Sequence, residues 1–418
     1  MRNITLPLIC TICIALFNSC SGGANNGDKS VIDIESAIGK GAVYNASEFI
    51  KSIKYVPLET TPNSIVGNIS NIIVENGKIY VSDDKNIINI FDINGKYLNT
   101  LNRIGRGPEE YRRFLDFAVS STGDLFLVSP EQGILKYDAN LKFIKTVIPQ
   151  DNEVGTAGLW DIVIPIDGLF ASNTITNNRN TGDVKEEWII YDIDDSFNIR
   201  LAYNTSIQQY DPSLGWFRVF PYKQYSYKNN LNFYKIGNDT IFNIDIENNY
   251  LKSAKYIINP GKYHLSEEVY RNTDDISKDS ELISLNLLFE TDNYLFMNVD
   301  FRGFAPEPFE TMRTIISMSG TRIEPGGPLN TNVYIIYNKN RGELSVLNHP
   351  APKTLGLKDD IAKGAPFWPK RVSKMQELIS WHNALELISL AEEDKIDKSI
   401  VGNLKEDDNP VVVIAVPK

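Results

Sequence analysis

The sequence predicts an all-β fold: a six-bladed β-propeller of four-stranded antiparallel blades, closed into a ring by strands from the two ends of the chain. Three observations carry this. From about residue 50 onward, short runs of Val, Ile, Tyr and Phe are separated by Asn, Gly and Asp turns. The runs repeat. Asn76-Gly77-Lys78-Ile79-Tyr80-Val81-Ser82 aligns with Thr122-Gly123-Asp124-Leu125-Phe126-Leu127-Val128, and Ile90-Phe91-Asp92-Ile93-Asn94 with Lys136-Tyr137-Asp138-Ala139-Asn140, both at an offset of 46 residues. Four short strands every 40–50 residues is the signature of a propeller blade. Finally, all three cysteines (Cys10, Cys13, Cys20) fall in the first 20 residues, so the body must hold together without a disulfide. A closed ring, which leaves no end edges, does that.

In chain order, residues 1–20 read as an export signal. Arg2 supplies a positive start, and Ile4 to Phe17 form an apolar stretch too short to span a bilayer. Ser19-Cys20 follows, then Ser21-Gly22-Gly23. A small residue before Cys at this place resembles a bacterial lipoprotein signal, although Phe17 and Asn18 stand where Leu and a small residue are usual. The resemblance implies cleavage before Cys20 and lipidation of Cys20, which would anchor the chain through its acyl groups. Residues 21–45, opening with the small polar run SGGANNGDKS, are assigned to a flexible tether. The propeller is assigned to 46–418.

The 46-residue repeat supplies blades one and two. Asp167-Gly168-Leu169-Phe170 and Trp188-Ile189-Ile190-Tyr191-Asp192 mark a third, with a polar insertion at 173–187. Asn230-Leu231-Asn232-Phe233-Tyr234 and Asp239-Thr240-Ile241-Phe242 mark a fourth. A fifth comes from Asn293-Tyr294-Leu295-Phe296-Met297 and Val333-Tyr334-Ile335-Ile336-Tyr337, separated by a long Pro-rich irregular loop at 303–328. Glu377-Leu378-Ile379-Ser380-Trp381 opens a sixth, followed by a helix over 383–393 and an apolar strand from Val411 to Val416. Ile53 to Leu58 has no blade of its own and is placed beside that last strand to close the ring.

Taken together, Ile79-Tyr80-Val81-Ser82-Asp83, Phe91-Asp92, Gly95-Lys96, Gly105-Arg106-Gly107-Pro108-Glu109-Glu110-Tyr111, Pro366-Phe367-Trp368-Pro369 and the ending Lys405-Glu406-Asp407-Asp408-Asn409-Pro410-Val411 resemble the six-bladed β-propeller lipoproteins, relatives of NHL-repeat proteins. The resemblance covers roughly residues 45–418. It implies a propeller at the bacterial cell envelope, lipid-anchored at the outer membrane, and leaves the periplasmic or surface face open. It supplies no catalytic residue.

The densest cluster of chemistry is Arg103 to Arg113. Strand counting puts this loop on the same face as Asp83 and Asp84. Arg106, Tyr111, Asp83, Asp84 and Glu109 are therefore the candidate ligand-binding residues: Arg to clamp a carboxylate or phosphate, Tyr to stack on a ring. The plainer alternative is that Arg106 and Glu109 pin adjacent blades. The aromatics Trp216, Phe217, Phe220, Tyr222, Tyr225 and Tyr227, beside Arg218 and Lys223, offer either a surface for carbohydrate or peptide or filling between blades. Phe91-Asp92, Tyr137-Asp138 and Tyr191-Asp192 read as turn-stabilising carboxylates.

No metal site is assigned. The acidic pairs Asp83-Asp84, Asp194-Asp195 and Asp407-Asp408 lack EF-hand spacing; calcium, which takes oxygen ligands, is the one metal they would suit, and no other cofactor is expected. Only His264, His349 and His382 are present. No Walker loop, nucleophile elbow or zincin motif occurs. With 42 Lys and Arg against 53 Asp and Glu, the formal charge is −11, which argues against nucleic acid as partner. The sequence thus points to a non-catalytic binding or scaffold module for a peptide, glycan or envelope protein. The alternative is a propeller hydrolase or lyase with a calcium-like site in the central channel.

Overall fold

The computed structural model describes residues 30–130, 132–147, 158–164, 168–178, 183–192, 199–209, 222–235, 238–265, 282–317 and 320–418. The signal, Cys20, Trp216, Phe217, Phe220 and Asp194-Asp195 lie outside them.

Two strands precede the first blade: β1 (Val31–Asp33) and β2 (Ile50–Pro57). Blade one is β3 (Ile69–Glu75), β4 (Lys78–Asp83), β5 (Ile88–Asp92) and β6 (Tyr97–Leu101). Blade two is β7 (Asp116–Val119), β8 (Leu125–Ser129), β9 (Gly133–Tyr137) and β10 (Phe143–Val147). In blade three, β11 (Gly158–Val163), β12 (Leu169–Asn178), β13 (Asp183–Asp192) and β14 (Ile199–Gln209) follow one another, and in blade four β15 (Tyr222–Tyr227), β16 (Asn230–Lys235), β17 (Thr240–Asp245) and β18 (Leu251–Asn259). Blade five starts with β19 (Ser284–Glu290) and β20 (Tyr294–Asp300). It then extends a hairpin, β21 (Phe309–Ser317) and β22 (Gly320–Asn330), and ends with β23 (Asn332–Asn338) and β24 (Glu343–Leu347). Blade six has β25 (Arg371–Val372), β26 (Leu378–His382), the helix α1 (Ala384–Glu392) and β27 (Val411–Pro417). Its fourth, outer strand is β2, which zips antiparallel onto β27 from Ile50↔Pro417 to Pro57↔Val411. The ring is closed as the sequence predicts.

Both faces of each sheet are covered, so strands such as Leu125–Ser129 are buried at every position. Their alternation sends successive residues to opposite neighbours. Leu125 and Leu127 pack toward blade one, while Phe126 and Val128 pack toward blade three. Six wedge-shaped cores result, one between each pair of adjacent blades, including blade six against blade one through Val412, Ile414, Ile72 and Ile79. Burying one such side chain contributes about 1.5–3 kcal/mol, so six cores in a ring need no covalent staple.

Two expectations, the tether and the irregular loop, are corrected, and the polar insertion of blade three takes a definite form. Residues 30–45, assigned to the tether, form an ordered strap. β1 runs parallel to β18 (Val31↔Ile257), Ala42 bridges Leu347 on β24, and Asn45 bridges Lys358 before β2 begins. The strap thus crosses the outer edges of blades four and five on its way to blade six. The cause is apolar: Ile32 and Ile34 are fully buried against blade four. The insertion at 173–187 is a lengthened hairpin, with β12 and β13 paired from Leu169↔Asp192 to Asn178↔Asp183. The supposed irregular loop at 303–328 holds the β21–β22 hairpin, which accommodates its prolines with a register shift between Glu310 and Met312.

Candidate functional site

The first strands β3, β7, β15, β19 and β25, with Ile164 next to β11, surround a central channel of about 600 Å³. Each first strand is the edge strand of its sheet, so its second edge faces the channel.

Near one mouth the channel wall carries a chain of polar groups across three blades. Arg371 Nε donates to Asn71 Oδ1 at 2.5 Å, and Asn71 Nδ2 donates to Asp116 Oδ1 at 3.0 Å. Burial lowers the Arg371 guanidinium pKa, and the Asp116 carboxylate opposes that shift. Lys223 lines the same cavity from blade four. Toward the other mouth, Lys374 approaches Glu75 at 4.0 Å. Glu290, whose side chain is 0% exposed, receives Lys255 at 2.8 Å, Lys339 at 2.9 Å, the Tyr225 hydroxyl at 3.0 Å and the Tyr256 hydroxyl at 3.1 Å. Desolvation lowers the Lys255 pKa and raises those of Tyr225 and Tyr256. Tyr227 lies between the two lysines, each ammonium 4.5 Å from the ring centroid.

The structure separates the five candidate ligand-binding residues. Asp83 and Asp84 line the channel. Asp83 is buried, and its carboxylate accepts from the amides of Gly67 (3.0 Å), Lys85 (3.1 Å) and Ile87 (3.2 Å). Asp84 accepts from the Asn68 amide and side chain. Tyr111 is 0% exposed, with its ring edge-on to Phe114 and its hydroxyl donating to Asn86 O at 3.0 Å. Burial pushes its pKa up to about 12. The expected stacking platform is therefore part of the core between blades one and two. Arg106 and Glu109 are exposed and lie outside the channel lining. The loop is folded on itself: Gly105 N donates to Tyr111 O, Tyr111 N to Arg103 O, and Gly107 N to Glu110 Oε2. A Cβ on Gly105 would collide with the Glu110 carboxylate.

Sequence reasoning missed Arg371, Asn71, Asp116 and Glu290, and met Lys223 only as a neighbour of the aromatic run. The signal that could have found Asn71, Lys223 and Arg371 is positional. Each stands seven residues ahead of the second strand of its blade, which begins at Lys78, Asn230 and Leu378. Asp92 and Asp138 accept from turn amides, as their sequence places them to do; Asp192 accepts from Arg200 Nε, and the turn that follows it lies outside the described residues. Tyr225 and Tyr227 belong to the Glu290 cluster. The histidines each face a carboxylate: His264 with Asp239, His349 with Glu307, His382 with Glu386. Among the described residues, no three His, Cys, Asp or Glu side chains converge as metal ligands, and no helix is long and apolar enough to cross a membrane.

No curated protein matches the chain. A solved structure from Bacteroides fragilis NCTC 9343, of a protein described as exported, is similar with a TM-score of 0.61 at 15% identity, covering 93% of this chain and 99% of that one. A member of the duf4221 family from Bacteroides vulgatus ATCC 8482 gives a TM-score of 0.47 at 13% identity, covering 88% and 97%. The first of these likenesses shows the fold. The match to one family extends over residues 29–416, and the chain belongs to it: Domain of unknown function (DUF4934).

Proposed function

We propose that this chain is a lipid-anchored propeller of the bacterial cell envelope that binds its ligand in the central channel without transforming it. The observation that carries the reading is the channel itself: a cavity of about 600 Å³ whose wall presents charges of both signs from several blades. Concave, preformed sites with a few convergent polar groups are where propellers and other scaffolds take ligands. The mixed lining suits a peptide or glycan better than a purely apolar molecule.

Anchoring through Cys20 rests on the signal at residues 1–20, and export agrees with the description of the B. fragilis neighbour. The expected consequence is simple: the wild-type chain partitions into the membrane fraction, and Cys20→Ser moves it to the soluble fraction.

The binding reading is tested by thermal shift of the Cys20→Ser chain against oligosaccharides, peptides, calcium and chelator. A ligand at 100 times its Kd adds about 2.7 kcal/mol of stability. A glycan or peptide shift that disappears when Ser226, which lines the channel, is replaced by Trp supports the channel as the site. A calcium shift reversed by chelator would favour metal-dependent chemistry instead.

A further inference from the structure

The charges along the channel are unequally satisfied. At the mouth near Glu75 they are paired: Lys374 with Glu75, and Glu290 with two lysines and two phenols. Toward the other mouth the carboxylates are also occupied, Asp83 by three amides and Asp116 by Asn71. The cations there keep unused donors, although the Asp116 carboxylate acts on Arg371 across Asn71. Arg371 gives Nε to Asn71 and Nη1 to the Lys370 carbonyl, two of the five N–H groups that a guanidinium carries. Lys223 makes no hydrogen bond or ion pair among the described residues, although it lines the cavity.

These two cations sit at one depth. Asn71 pairs with Ser82 and Lys223 with Tyr234, in each case eleven residues on, so the two occupy the same level of their respective blades. Arg371 reaches that level by its bond to Asn71. Between their blades, four and six, lies β19 of blade five.

Resting on the reading of the channel as a binding site, we propose that its ligand is a short peptide whose C-terminal carboxylate is held between Lys223 and Arg371. A carboxylate matches the paired donors of a guanidinium and the point charge of an ammonium. The channel walls are edge strands, whose inward main-chain groups offer donors and acceptors to an extended peptide backbone. A chain of net charge −11 repels polyanions, whereas one terminal carboxylate is offset by two cations.

The test uses the immobilised Cys20→Ser chain, two pools of randomised octapeptides, one with free C-termini and one amidated, and a panel of uronate and neutral oligosaccharides, with retained molecules quantified by mass spectrometry. Free-acid peptides are expected to be retained and amides to fall at least tenfold. Lys223→Gln should weaken retention about tenfold or more, the loss of one charge-assisted hydrogen bond, with the melting temperature unchanged. Lys96→Gln, on an exposed turn, should leave retention unchanged. Equal retention of acids and amides, or wild-type retention by Lys223→Gln, overturns the proposal. Retention of a uronate or neutral oligosaccharide in place of peptides overturns it while sparing the channel as a binding site. Retention of nothing overturns both.

Discussion

At the scale of single residues, Tyr111 and Asp83 act on the fold through bonds to the backbone. The Tyr111 hydroxyl is donated to Asn86 O inside the core between blades one and two. Tyr111→Phe leaves that carbonyl short of a donor and should cost about 1–2 kcal/mol in denaturant unfolding. Asp83→Ala strands three amides and should cost about 1–3 kcal/mol. Peptide retention in the Tyr111→Phe protein is expected to match wild type, because the ring does not reach the channel; a loss of binding at unchanged stability would return Tyr111 to the site. In the Arg103–Arg113 segment, sequence alone could show a shaped, charged loop. Whether Tyr111 points out or in depends on Phe114, three residues along the same loop, and on Phe117 and Tyr137 from the strands of blade two, which share its core, and no local pattern encodes that packing. Arg371 and Lys223 were hidden for the opposite reason: each is an isolated cation in a short or irregular stretch, and its meaning comes from ring geometry.

Elements join across blades through the Glu290 cluster and the strap. Glu290 at the end of β19 holds Lys255 of β18 and Lys339 just after β23. Glu290→Gln leaves two ammonium groups, 20% and 16% exposed, without their counter-charge. Because the lysines keep some water, the expected loss lies toward the lower end of about 3–5 kcal/mol, read as a lowered denaturant midpoint. Ile32→Ala in the strap empties a fully buried position against blade four and should cost about 2–5 kcal/mol. A loss under 0.5 kcal/mol would mean that the strap does not hold the ring. Strand positions were legible wherever a Gly turn separates two β-branched or aromatic runs, as at Asn76-Gly77. The strap was not, because three residues of strand with one buried face have no period to read, and its Gly-rich lead-in argues for coil. The β21–β22 hairpin was masked by Pro325 and Pro328, which usually interrupt strands.

For the whole molecule, six blades made the ring legible early. Repetition and the orphan strand at Ile53–Leu58 both demanded closure, and β2 on β27 supplies it. The ring also buries phenols that resist ionisation. Burial pushes Tyr111 and Tyr334 up to about 12, against about 10 in an unfolded chain. A group whose folded pKa is raised contributes stability that is complete below pH 10 and lost as pH climbs from 10 to 12. Denaturant midpoints should therefore hold steady up to pH 10 and fall beyond it. Absorbance at 295 nm should show a fraction of the 20 tyrosines ionising only as the protein unfolds. The strap has one more consequence, for posture. Between Cys20 and Ser30 the chain can reach at most about 35 Å, and Ser30 enters the fold at the outer edge of blade four, where its carbonyl accepts from Ile257 N. If a bilayer grips Cys20, the point of the ring kept within that reach of the lipid is its rim at blade four, so the leash is fastened beside the bore and blocks neither of its ends.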